Sequence, residues 1–229
     1  MSTVANMSEV KAREEICRVG ESLFQRGYVH ATAGNISVRL DHGFLITPTD
    51  ACLGFLDPAD LALLDHEGHQ LSGKRASKTI ALHRKIYEAS DHAPGSWPAG
   101  CVIHTHSTHC VGVSLRAKGP ELLPPVTPYF VMKVGHVPLI PYFRPGDVLA
   151  ADAVADAILH YAKLDTPIRA VMLSRLGPNV WHQDLSSAMA TLEELEETAK
   201  LMMALTSGEP DILSDAQIDE LRQNFGATW

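Results

Sequence analysis

The stretch CVIHTHSTH, residues 101–109, sets three histidines directly behind a short apolar run. It follows the Pro/Gly-rich connector SDHAPGSWPAG (90–100), so CVIHTH reads as a buried strand entered from a loop. Side chains on a strand alternate in direction, so His104 and His106, two residues apart, point to one face. Two imidazoles on one face at a strand end form half of a divalent-metal site, since a zinc centre takes at least three protein ligands. The plainer alternative is two histidines bordering a loop, and the motif alone leaves both open. His109 falls in STHCVGVSLR (107–116), a helical pattern, and is expected to hydrogen-bond locally.

Helical and strand periods interleave on both sides of this strand. Residues 8–26 show helical spacing of Val10, Ile16, Val19, Leu23 and Phe24, with Ser8 as N-cap and Gly27 as stop. NISVRL and GFLITP read as a hairpin around Asp41-His42-Gly43, LALLD as another strand, and HEGHQ as a reversal. Helices are expected at 77–89, 147–163, 184–206 and 214–225, and strands at HVPLIPYF, RAVMLSR and NVWHQ. The prolines in HVPLIPYF predict an edge strand or a strand end. The four glutamates of LEELEETAK (192–200) read as a solvated helix face, with Glu196 and Lys200 as an i,i+4 pair. This interleaving predicts one α/β domain over 1–229.

At 229 residues the chain is long enough to bury a full core. A formal net charge of −8, with GKRASK as a short basic patch, argues against nucleic-acid binding. A small anionic substrate is not excluded, because a pocket can oppose the global sign. Cys17, Cys52, Cys101 and Cys110 form no C-x-x-C pair, and MSTVANMSEVKAREE has no apolar core of a signal peptide. No apolar run reaches the length of a membrane span. A cytoplasmic protein is expected.

Several ordered segments together resemble the class II aldolase/adducin family: TAGNISVR (32–39), LITPTD (45–50), SGKRASKTIALH (72–83), VIHTHST (102–108) and LGPNVW (176–181). LFQRGY, CLGFLDP, TPYFVMKVGHVPLIPYFRPGD and LEELEETAKL bring it nearest, within that family, to the 3-oxo-tetronate 4-phosphate decarboxylases. The resemblance implies a three-layer α/β/α fold around a central, mostly antiparallel sheet. It also implies a homotetramer with active sites at subunit interfaces. His104 and His106 match the family's zinc-binding H-x-H, and Asn35, Thr49, Ser77 and Lys78 match its phosphate-binding positions. A hydroxyl, a lysine and the backbone N–H groups opening a helix make a sound anion site. Taken singly, Asn35 reads as a turn residue and Ser77 as a helix N-cap.

Three positions depart from the family pattern. Thr79 stands where the family has a glutamate general acid/base, and threonine cannot take a proton at neutral pH. Leu176 stands where the third metal histidine belongs, and Asp50 replaces a glycine after TPT. His83, His109 and His182 are the other imidazoles to consider as a third ligand, with His83, on the helix face of Thr79, favoured over the other two. Arg175 is either a cation beside the vacated ligand position or a surface residue, and Tyr142 and Arg144 are further candidates for the pocket. The implied activity is metal-dependent carbon–carbon cleavage, decarboxylation of a 3-oxo sugar-acid phosphate first and sugar-phosphate aldol cleavage second. A non-catalytic module like the adducin head, or an enzyme turned to metal-free chemistry, is the alternative that the departures raise.

Overall fold

The helix expected at 8–26 forms as α1 (Glu9–Gln25), capped by Ser8, whose side chain accepts the Lys11 N–H. In this computed structural model, which describes residues 7–205, 208 and 210–229, the hairpin follows as β1 (Asn35–Leu40) and β2 (Gly43–Ile46). Leu40 pairs with Gly43, so the reversal is the two-residue Asp41-His42. β3 (Ala62–Leu64) lies in LALLD, and β4 (Gln70–Ser72) adds a short outer strand where the sequence shows only a turn. α2 (Ile80–His92) begins later than the 77–89 pattern because residues 77–80 first close a separate turn, Ile80 N–H to the Ser77 carbonyl.

The strand CVIH is β5 (Cys101–His104), followed by α3 (Thr108–Ser114). A π-helical turn occupies Phe130–Val134, where no periodicity marks it. β6 (Leu139–Ile140) is cut to two residues between Pro138 and Pro141, the strand end that prolines predict. α4 (Val148–Lys163), β7 (Ala170–Leu173), β8 (Gly177–His182), α5 (Leu185–Ala204) and α6 (Asp215–Phe225) complete the described elements. Asp147, Asp184 and Ser214 cap α4, α5 and α6 through their side chains. Residue 206, the last of the expected 184–206 helix, lies outside the described residues.

The eight strands form one sheet in the order β4-β3-β2-β1-β5-β8-β7-β6. Every neighbouring pair is antiparallel except β6–β7, so the sheet is mostly antiparallel as expected. Period-two alternation divides the core. Ile36, Val38, Cys101, Ile103, Met172 and Val180 pack under α1, α3, α5 and α6. Phe44, Val102, Val171, Leu173 and Trp181 pack under α2 and α4. The result is the α/β/α sandwich, with its central strands buried on both faces.

Register puts Asn35, His104 and Asn179 side by side across β1, β5 and β8. Directly opposed residues share a face, and this one is the face covered by α2. Gly34 permits the close approach that holds the row: φ is +86°, and a Cβ there would lie 2.9 Å from the His104 carbonyl oxygen. On the other flank Gly177, at φ +149°, passes so near Thr105 that a Cβ would lie 1.8 Å from its carbonyl oxygen. The backbone on both sides of His104 is therefore fixed by contacts that admit no side chain.

Candidate active site

A cleft of about 460 Å³ opens where the first turns of α2 and α4 face the ends of β1 and β5. Asn35, Thr49, Ser77 and Lys78 line it, so the structure brings together all four residues expected to hold an anion. Asn35 and Ser77 are buried, while Lys78 is exposed at the mouth and forms no ion pair among the described residues. The other two cations in the wall are engaged: Arg144 lies 3.5 Å from Asp147, and Lys85 lies 3.6 Å from Glu88 and 4.0 Å from Asp152. An anion therefore finds a free ammonium beside the positive end of a 13-residue helix. Asp50 also lines the cleft, at φ +55°, the left-handed backbone that a glycine would take without strain.

Thr79 sits between the two ends. Its hydroxyl oxygen accepts from Asn35 Nδ2 and from Ser77 Oγ, both at 3.3 Å, which leaves its own hydrogen free to donate. The position at which the resemblance implies an acid/base thus carries a neutral donor.

His104 and His106 line the inner end, their ring centroids 5.0 Å apart. His104 Nδ1 is 3.0 Å from the Pro178 carbonyl, which can only accept, so Nδ1 carries the proton. Burial, reinforced by the neighbouring His106, pushes the His104 imidazole down to about 3. It is therefore neutral at pH 7, with the Nε2 lone pair turned away from Pro178. Burial, then His30, lowers His106 as well. Behind them, His83 is fully buried, bonded through Nδ1 to Ser37 Oγ at 2.7 Å, and held neutral by burial and then by His104. Its Nε2, Asn35 Oδ1 and both polar atoms of the Asn179 side chain are buried with no protein partner. The sequence reading missed Asn179. The available signal was an amide at a core-facing position in GPNVWH.

Residues 14–203 match the family described as Class II Aldolase and Adducin N-terminal domain. The chain belongs to the class II aldolase/adducin family. A 3-oxo-tetronate 4-phosphate decarboxylase of Cupriavidus necator is 51% identical over 228 residues, covering 97% of this chain and 99% of that protein. An L-fuculose phosphate aldolase of Methanococcus maripaludis is 31% identical over 187 residues, covering 82% and 91%. Among solved structures, the Escherichia coli protein YgbL, described as a candidate aldolase/epimerase/decarboxylase, superimposes with a TM-score of 0.81 at 38% identity, over 93% of this chain and 99% of that one. These relationships make the chain a carbon–carbon lyase of the decarboxylase/aldolase type, on the fold that the resemblance implied.

Class II aldolases generally use a divalent metal. Half of such a site fits here, since a backbone carbonyl fixes the His104 tautomer that leaves Nε2 free to ligate. The other half does not. Leu176 lines the cleft with hydrocarbon, and among the described residues no group of three His, Cys, Asp or Glu side chains could hold a metal ion. His83 does not line the cleft. His109 bonds Glu196 across the opposite face, its Nδ1 2.8 Å from Oε1. His182 pairs with Cys101 at the far end of β8, where it stacks with Trp97. The residues present do not build a centre with three protein ligands.

Three other expectations are corrected or refined. Arg175 is exposed and outside the cleft lining, at a φ of +67° and with its backbone N–H donated to Ser114 Oγ. Tyr142 is 60% exposed and does not line the cleft, whereas Arg144 does. Glu196 is not part of a solvated face: it is 2% exposed and accepts the N–H groups of His109 and Cys110 at the start of α3. Lys200 instead reaches Glu197, at 3.5 Å. A carboxylate buried against a helix N-terminus leaves no trace in a run of four glutamates.

Proposed function

We propose that the protein decarboxylates a 3-oxo sugar-acid 4-phosphate, with 3-oxo-tetronate 4-phosphate the leading substrate. The convergence of Thr49, Ser77 and Lys78 on the α2 N-terminus carries the reading, because it offers one end of a short ligand a phosphate seat, to which Asn35 is joined through the Thr79 hydroxyl. Decarboxylation breaks the C1–C2 bond, and its electron pair forms a C2–C3 double bond while C3 oxygen takes the charge. C2 then accepts a proton, so the product by atom balance is dihydroxyacetone phosphate. No C–H bond has to be deprotonated first. A glutamate base is therefore dispensable for the bond-breaking step, and the Thr79 hydroxyl serves as a hydrogen-bond donor to the developing enolate oxygen.

Of the family's metal centre we keep only a weakened half-site at His104 and His106, for which zinc is the expected ion, and route no step through it. We further propose one domain over residues 1–229, assembled as a homotetramer whose interfaces cover the cleft. Val148, which lines the cleft, and its neighbour Leu149 are exposed at the start of α4 and favour a covering partner. Free cysteines and a phosphorylated substrate suit a cytoplasmic enzyme. No described helix is long and apolar enough to cross a membrane.

The test is turnover of 3-oxo-tetronate 4-phosphate, followed by dihydroxyacetone phosphate formation in a coupled assay. The loss of both the glutamate and the third histidine, at Thr79 and Leu176, favours a second reading, a non-catalytic oligomeric module. That reading gains if the purified protein neither turns over nor binds phosphorylated sugar acids. Release of an aldehyde instead of CO2 would assign aldol cleavage.

A further inference from the structure

We propose that the inner end of the cleft recognises a hydroxyl group of the substrate directly, by donation to the His104 Nε2 lone pair, with no resident metal in between. The inference rests on the decarboxylase reading for the ligand's phosphate end and adds the chemistry of its other end.

The donor and acceptor inventory decides it. The Pro178 carbonyl fixes the proton on His104 Nδ1, so Nε2 faces the cleft as an acceptor and repels a carboxylate. Asn35 Oδ1, immediately across the strand pair, is a second buried acceptor with no partner. Leaving a buried polar atom without a partner is costly, so such atoms mark where a ligand or water belongs. Both acceptors would suit a cation, but among the described residues no centre with three protein ligands is available, position 176 being leucine. What two neutral acceptors can take instead is an O–H donor. The cleft is thus graded along its length, from a free cation at Lys78 through a hydroxyl donor at Thr79 to acceptors at Asn35 and His104. A 2-hydroxy-3-oxo acid bearing a 4-phosphate matches that order: phosphate, ketone, hydroxyl. Leu173 and Leu176 then give the remaining C1 carboxylate an apolar wall, against which conversion to neutral CO2 is favoured.

The test compares two stable ligands by calorimetry on EDTA-treated protein: a tetronate 4-phosphate, which carries the 2-hydroxyl, and its 2-deoxy counterpart. The expected result is roughly tenfold tighter binding of the hydroxylated ligand, the value of one good hydrogen bond, and loss of that preference in His104→Phe. In parallel, protein loaded with zinc and then desalted is analysed for metal. The wild type should retain well under a tenth of an equivalent, and Leu176→His should retain zinc at least about 100-fold more tightly, as a restored ligand exceeds the 10- to 100-fold worth of an outer-shell partner. Near-stoichiometric zinc in the wild type overturns the proposal. So does hydroxyl discrimination that appears only when metal is added back, an outcome that leaves the decarboxylase reading standing. Failure of both ligands to bind with or without metal overturns the proposal together with the reading it rests on.

Discussion

The two ends of the cleft sit on the same frame but differ in how many of their parts the sequence retains. Toward the mouth, Thr49, Ser77 and Lys78 line the cleft beside a helix N-terminus. At the floor, His104 and His106 stand beside Leu176, and among the described residues no third metal-binding side chain joins them. Backbone architecture is intact at both. An anion seat depends on a helix terminus and one lysine, which the fold supplies with little help. A metal centre depends on three side chains at once, so one substitution undoes it.

Changes at each end should separate binding from chemistry. Lys78→Met should weaken phosphorylated ligands by roughly 10- to 100-fold, the worth of a charge-assisted contact. Unphosphorylated counterparts should be unaffected in the same titration, and an equal loss for both would dissolve the distinction between the ends. Glu196→Ala, on the far face of the sheet, should destabilise the fold by about 2 kcal/mol in urea unfolding, since it leaves two helix N–H groups unpaired. Ligand affinity of the folded fraction should not move, which makes it the control for both ends. Thr79→Glu should lower decarboxylation about tenfold by setting an anion against the enolate, whereas Thr79→Ser should stay within about threefold, because the serine keeps the donor. Faster turnover in Thr79→Glu would mean that a base is needed after all. The smallest effect is expected at the floor: Asn179→Leu removes two unpartnered buried atoms at similar volume and should raise stability by about 1 kcal/mol. A loss of stability would show that the amide is fully bonded in solution.

Much of this was legible in the sequence. Helical spacing and caps located α1, α4, α5 and α6 to within a residue or two, since capping residues act locally. The i,i+2 spacing put His104 and His106 on one site, and the ordered motifs placed Asn35, Thr49, Ser77 and Lys78 there too. Long-range pairing was not legible. Glu196 bonds residues 86 and 87 positions away, and Asn179 meets His104 only through the β5–β8 register. Arg175 and Tyr142 stayed open between pocket and surface for the same reason: closeness in sequence to a motif does not say which way a side chain leaves the chain.

Gly177 bears on how this protein could be re-engineered. Its α-carbon is pressed close against the Thr105 carbonyl, and the turn before it is closed by the Leu176 N–H on the Leu173 carbonyl and the Arg175 N–H on Ser114 Oγ, so no bond of that turn uses the Leu176 side chain. The residue before it, Leu176, can then be exchanged without moving the strand that presents His104. Position 176 behaves as a socket whose plug is interchangeable: the same rigid mount that now carries a hydrocarbon can carry an imidazole, and the identity of the chemistry is separable from the integrity of the scaffold.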